Sequence, residues 1–148
     1  MRRTEEEGFP ETMCSYHRVF LGAALTGLVP TPKCTIYTNL ACDGNMMTFP
    51  YLKQKNELPG FYIDVPYEKN QASVKYVADQ LRDMKKFLEN VTGKKISEEA
   101  VQQAVANSKK AAANYQRQLV LRKDHDPVTS LTNELYAIFM CHLLSGSE

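Results

Sequence analysis

Two short β-rich runs with a helical stretch between them constrain this sequence most. "CTIYTNL", Cys34 to Leu40, reads as a buried strand. "GFYIDVP", Gly60 to Pro66, reads as a second strand, with Phe61, Ile63 and Val65 alternating against Tyr62 and Asp64 and with Pro66 closing it. Helical patterns precede, separate and follow the two runs, and the order helix, strand, helix, strand, helix is that of a parallel α/β sheet.

The first of those helices is "CSYHRVFLGAALTG", with Val19, Phe20, Ala23, Ala24 and Gly27 at helical spacing and Cys14 at its start. It stops at "GLVPTP", where Gly27, Pro30 and Pro32 oppose continuation. Met46 to Asn56 reads as a short helix if Thr48 caps it, because Pro50 then lies in the first turn, where a missing N–H is tolerated. Ahead of all this, the acidic segment Glu5 to Glu7 is expected to be mobile. Beyond the second strand the chain reads as helix throughout. Val74, Val77, Leu81, Met84, Leu88 and Val91 form a stripe ended by Thr92 and Gly93. Ser97 caps the next helix, with Glu98 and Glu99 in its first turn and Val101, Val105, Ala112, Tyr115 and Leu119 on its apolar face. A last helix, about Ser130 to Leu144, carries Leu131, Leu135, Ile138, Phe139 and Leu143.

This pattern divides the chain into a partial α/β domain, residues 1–68, and a helical segment of three helices, residues 69–148. Two strands alone do not stabilise a parallel sheet, the chain opens on a helix that should follow a strand, and it stops at "LLSGSE" just after another helix. A piece of a larger α/β protein, or one that needs a partner, is expected. No internal repeat or low-complexity tract argues otherwise.

With 148 residues, 43% of them apolar, the chain has the size of one ordinary domain. Lys and Arg number 18 against 17 acids, and a net charge of +1 leaves no footprint for nucleic acid or an anionic membrane. The longest apolar stretch, Val19 to Val29, falls well short of the roughly 20 residues of a membrane span. The charged start "MRRTEEEG" lacks the apolar core of a leader peptide. A cytoplasmic protein is expected.

The four cysteines, Cys14, Cys34, Cys42 and Cys141, have neither CxxC spacing nor the density of a disulfide framework. In open α/β sheets ligands gather outside the carboxyl ends of the strands. Cys42 lies two residues past Leu40, at such an end, and Cys14 opens a helix that would itself follow a strand end. The two thiols, 28 positions apart, are thus expected on one rim, where a helix N-terminus favours a thiolate. Cys34 begins the strand that Cys42 follows, which separates them by roughly 20 Å at about 3.3 Å per residue. Cys141 falls in an apolar helix and reads as core. Position alone leaves two readings of Cys14 and Cys42 open: small buried hydrophobes, or metal or cluster ligands. His17 and Arg18, one turn into a helix, suit either a bound group or the surface. Tyr67 and Glu68, past the second strand, suit a pocket. "DHDP", Asp124 to Pro127, reads as a polar loop and His142 as a satisfied core histidine.

Four stretches, "CSYHRVFLGAALTG", "TNLACDGNMMTF", "FYIDVPYE" and "FLENVTGKKISEEAVQQAVANSKKA", occur in an order that resembles the 2-hydroxyacyl-CoA dehydratase family, from about Phe9 to Ser147. That family includes the 2-hydroxyglutaryl-CoA dehydratase D component and benzoyl-CoA reductase subunits. Cysteine in "P-x-x-x-C-S-Y" and again in "T-N-x-x-C-D" is its most specific pairing. The resemblance implies a flavodoxin/Rossmann-like α/β domain followed by the helical segment, and a [4Fe-4S] cluster held by three cysteines. Cys14 and Cys42 match the first two, and the third is expected outside this chain. It implies a pocket drawn from Ser15, Tyr16, His17, Arg18, Asp43, Asn45 and Tyr67, with the Asp43, Gly44 and Asn45 block letting backbone approach cluster or substrate closely.

The resemblance also implies partners and chemistry. These are an acyl-CoA substrate, a homologous second subunit in a heterodimer or a homodimer, and an ATP-dependent activator protein. The activator's low-potential electron reaches the thioester carbonyl, and the resulting ketyl radical anion expels the neighbouring hydroxyl as water. Between Lys69 and Lys123, 12 basic residues face five acidic ones, which suits an anionic partner or CoA phosphates as well as a solvated helix face. A benzoyl-CoA reductase-like or double-cubane-cluster reductase subunit is the near alternative, and a cluster-free subunit-interaction module the distant one.

Overall fold

The computed structural model describes residues 2–40, 42–123, 125, 130–143 and 146–147, and of residues 138–143 the backbone only. It is a mixed α/β structure in two compact units, Met1–Lys94 and Lys95–Glu148. The first unit contains α1 (Arg2–Glu6), α2 (Ser15–Leu25), β1 (Thr35–Thr38), α3 (Asn45–Lys55), β2 (Gly60–Ile63) and α4 (Gln71–Thr92). The second contains α5 (Glu98–Leu121) and α6 (Leu131–Leu143). The helix expected to open the helical segment, α4, therefore belongs with the sheet. Among the described residues no helix is long and apolar enough to cross a membrane.

β1 and β2 pair in parallel, with Thr35 opposite Gly60 and Thr38 opposite Ile63, and α3 makes the crossover that a parallel pair requires. Both strands are shorter than their β-rich runs. The expected in-and-out alternation along β2 is not seen, because all four of its residues are half-buried. The reason lies in the layering. Phe61 meets Phe87 of α4 with ring centroids 5.5 Å apart, whereas Tyr62 stacks on Tyr37 at 5.4 Å. Tyr37 stacks on Phe49 of α3 at 6.2 Å, and Phe49 reaches Phe20 of α2 at 5.8 Å. Helices thus cover both faces, and a strand packed on both sides need not alternate.

The expected cap of α3 is also corrected. The helix begins three residues earlier than Thr48, with Gly44 as its N-cap, so Pro50 sits inside it and leaves the Met46 carbonyl without its usual helical donor. Thr48 is fully buried instead of capping, for a reason found at the sheet rim. Downstream signals act as read. Gly93 closes α4 at φ 69°, a left-handed conformation that favours glycine, and the Ser97 hydroxyl accepts the Ala100 N–H at 3.1 Å. The stripe on α4 is only partly covered, with Val74 and Leu81 exposed, and ion pairs such as Lys75–Asp79 lie on its wet side.

In the second unit Arg122 at the end of α5 pairs with Glu134 of α6, and Asn107 Nδ2 donates to the Gly146 carbonyl at 3.1 Å. Val101, Val105 and Leu119 remain exposed on α5. The side chains of Cys141 and His142, the core packing expected of Ile138, Phe139 and Leu143, and the loop residues Asp124, Asp126 and Pro127 lie outside the described residues.

The mobile acidic segment of the sequence reading is instead ordered. Glu5 pairs with Arg18 of α2, while Glu7 accepts from the Tyr51 hydroxyl and pairs with Lys55 at 2.9 Å, both on α3. Phe9 adds an edge-on contact to Tyr51 at 4.9 Å. Three acids in a row read as solvated only while their cationic and phenolic partners, up to 48 positions away, are out of view. The Tyr51 hydroxyl first, and Lys55 next, hold the Glu7 carboxyl below its ordinary value of 4.5. Burial, and then Glu7, push the Tyr51 phenol up.

A carboxyl with a lowered folded value contributes stability above its ordinary value and loses it as pH falls through the lowered one. Docking of the first helix should therefore weaken progressively below about pH 4.5. Amide hydrogen exchange at Gly8 and Phe9, which bond back to the Glu5 and Thr4 carbonyls, reads this opening. Glu7→Gln should flatten the acid dependence. An undiminished dependence in that variant would assign it to another group.

Candidate functional site

The carboxyl end of β1 runs straight into the segment that carries Cys42, Asp43 and Gly44 and then into α3. The N-terminus of α2 lies against it. Cys14 is the N-cap of α2, is exposed, and makes no side-chain capping bond. Three residues on, His17 is only 3% exposed, and its ring spans two partners: Nε2 stands 3.3 Å from Cys42 Sγ and Nδ1 stands 3.0 Å from Thr48 Oγ1. Cys42 is thus tied to the first turn of the helix that Cys14 opens. Cys42 itself is half-buried.

Gly44 is what lets the ring in. A Cβ built there would lie 2.5 Å from His17 Cδ2 and 2.6 Å from Nε2. Its φ of −58° is ordinary for any residue, so glycine is required here for space and not for torsion. Asn45 sends its Nδ2 to the Thr38 carbonyl at 3.4 Å and ties the start of α3 to the end of β1.

Beyond the last paired residues, side-chain amides continue the work of the sheet. The Val65 N–H donates to Asn39 Oδ1 at 2.8 Å, and Asn39 Nδ2 donates to Asp64 Oδ1 at 2.9 Å. From the other side, Gln80 of α4 accepts the Asp64 N–H and donates to the Asp64 carbonyl, both at 2.8 Å. Tyr76 donates its hydroxyl to Asp64 Oδ2 at 3.2 Å, and this bond raises its phenol above its ordinary value. Asn39 thus ties the two strand ends to each other, and Gln80 and Tyr76 fix the end of β2 to α4. Between the strand ends opens a cleft of about 750 Å³ lined by Asn39, Leu40, Asp43, Val65, Pro66, Tyr67 and Lys69.

A second, smaller pocket of about 210 Å³ lies at the opposite end of β1, lined by Phe20, Pro30, Cys34, Ile36, Phe49 and Leu52 among others. It is the more enclosed of the two and mainly apolar, but Cys34 is its one thiol. As the strand length required, Cys34 does not join Cys14 and Cys42.

A sequence profile of the 2-hydroxyglutaryl-CoA dehydratase D-component matches residues 1–148. The chain belongs to that family. It is 28% identical over 122 residues to the (R)-phenyllactyl-CoA dehydratase alpha subunit of Clostridium sporogenes, a match covering 76% of this chain and 30% of that protein. It is 30% identical over 88 residues to the alpha subunit of (R)-2-hydroxyglutaryl-CoA dehydratase of Acidaminococcus fermentans, covering 57% of this chain and 18% of that one. The chain spans less than a third of either relative.

The residues singled out from sequence fall into four groups. His17, Cys42 and Asn45 meet at the rim, with Cys14 opening the helix that carries His17, and Asp43 and Tyr67 line the adjoining cleft, with Tyr67 fully exposed. Ser15 and Tyr16 are exposed in the first turn of α2, Tyr16 packing edge-on against His17 at 5.6 Å. Arg18 points elsewhere, donating to the Glu11 carbonyl at 2.9 Å and pairing with Glu5. Of the two possibilities left open for His17, the surface is excluded by its burial. Thr48, Asn39 and Gln80 were not legible as site residues, and Gly44, read from sequence as a place for backbone to approach a ligand closely, instead makes room for the His17 ring. Only Asn39 gave a local signal, an amide at a strand end.

Gly44→Ala should destabilise the protein by about 1–3 kcal/mol, the usual cost of forcing a methyl group into filled space. The urea midpoint of the full chain measures it. In a His17→Ala background the loss should shrink. An equal loss in both backgrounds would show that the ring contact is not its cause.

Proposed function

We propose that this chain supplies part of the iron–sulfur site of a 2-hydroxyacyl-CoA dehydratase, with Cys14 and Cys42 as two of the ligands of a [4Fe-4S] cluster. The observation that supports this reading is the contact of Cys42 with His17, in the first turn of the helix that Cys14 opens, beside an open cleft. The donor chemistry fits. Both thiols are soft ligands, the Cys14 side chain makes no capping bond to its helix, and Cys42 has His17 as its side-chain partner. Two thiols fill only part of a cluster's ligand set, and among the described residues no group of three or more His, Cys, Asp or Glu is placed to hold a metal ion. The third cysteine ligand is expected outside this chain.

Such a cluster, when bound, supplies a low-potential electron for removal of water from the acyl-CoA thioester. This chain's own contribution is positional. The Asn39–Asp64–Gln80 splint fixes the strand ends at the mouth of the cleft, and Asp43 and Tyr67 line it beside Cys42. The sheet completes as a flavodoxin/Rossmann-like one, in a cytoplasmic assembly with a homologous second subunit and an ATP-dependent activator. Both relatives carry dehydratase names, which favours dehydration over the reduction catalysed by benzoyl-CoA reductase-like proteins.

Iron and acid-labile sulfide per chain, measured after anaerobic reconstitution with ferrous iron, sulfide and a small thiol, test the reading. Cys14→Ala and Cys42→Ala should each bring the content to background, while Cys34→Ala should leave it at the parent level. Equal loss in all three, or none bound by the parent chain, would replace a cluster site with a subunit-interaction module.

A further inference from the structure

The hydrogen on the His17 ring can be located from its neighbours. Thr48 is fully buried, and its hydroxyl carries one hydrogen that is costly to leave undonated away from water. Among the described residues the hydrogen-bond partner of Thr48 Oγ1 is His17 Nδ1 alone, at 3.0 Å. Thr48 is therefore the donor and Nδ1 the acceptor, and the ring hydrogen sits on Nε2. Nε2 faces Cys42 Sγ at 3.3 Å.

We infer that His17 is a positioning residue that donates an Nε2–H hydrogen bond to the sulfur of Cys42, its tautomer set by Thr48 and its seat provided by Gly44. Two other uses of a cysteine–histidine pair are excluded by the same geometry. Nε2 has no lone pair toward the sulfur with which to take up a thiol proton, and none to offer a metal ion there. A donor aimed at sulfur instead withdraws electron density from a thiolate and fixes its direction. The benefit to cluster chemistry rests on the reading proposed above. For a cluster bound through Cys42, loss of this bond moves the reduction potential to a more negative value and loosens the iron, since hydrogen bonds to sulfur are among the features that set cluster potentials.

Two measurements separate the inference from the reading beneath it. In the iron-free full chain, nitrogen-15 NMR of the His17 ring should show a protonated Nε2 and an unprotonated Nδ1. The Nε2 resonance should move in Cys42→Ala and the Nδ1 resonance in Thr48→Val. Hydrogen on Nδ1, or on both nitrogens, would overturn the assignment whether or not iron binds. After anaerobic reconstitution, His17→Ala should show a more negative midpoint potential and faster iron loss to a chelator than the parent. His17→Gln, which retains an N–H donor, should recover part of both. A midpoint and iron-loss rate unchanged in His17→Ala would overturn the tuning role, while a parent chain that takes up no iron would overturn the cluster reading and leave the ring measurement to decide where the hydrogen lies.

Discussion

The burial of one imidazole between two helices organises the first unit of this protein. His17 and Leu21 are successive residues, four apart, on one stripe of α2, and Thr48 and Leu52 are the matching pair on α3. All four are buried, and Leu21 and Leu52 are the two buried apolar side chains among the described residues. The α2–α3 contact thus has a polar part at the sheet rim, His17 on Thr48, and an apolar part, Phe20 against Phe49. A ring in the polar part cannot shift without exposing the apolar part or stranding the Thr48 hydroxyl, so the register of the two helices and the position of Cys42 are set together.

From that contact the two ends of β1 acquire opposite characters. At the carboxyl end, amides, carboxylates and a phenol surround an open mouth, with Cys42 next in sequence to one of its lining residues, Asp43. At the amino end, Phe20, Phe49 and Leu52 close around Cys34 in a narrower apolar space. One strand of four residues therefore presents a thiol at each end in very different surroundings. The surroundings of each thiol follow from which end of the strand it occupies, not from the cysteine itself.

What could be read from the sequence was what neighbours along the chain decide. Gly93 and Ser97 act within one helical turn, and the two β-rich runs and the stripe on α4 are periodic, so each was legible. The rim position of Cys42 was legible too, because the topology of parallel sheets directs strand ends to one side. Thr48 shows where this stops. A threonine two residues before a proline looks like a cap when only local chemistry is weighed, and its true partner is 31 positions away. The acidic segment failed in the same way, its partners lying on α2 and α3. The expected alternation along β2 failed because the sequence does not show that a second helix layer covers the strand's other face.

The splint across the strand ends has a consequence for how such a rim changes over time. Main-chain pairing stops at Thr38 and Ile63; beyond it Asn39 reaches across to Asp64 and Val65, and Gln80 fixes Asp64 to α4. A ladder of main-chain bonds can be altered only by shifting a whole strand, which turns every side chain to the wrong face. A rim fastened by two amide side chains can be widened, narrowed or tilted by single replacements that leave the ladder intact. The mouth of this sheet is therefore a separately adjustable part, free to change shape while the strands beneath it stay fixed.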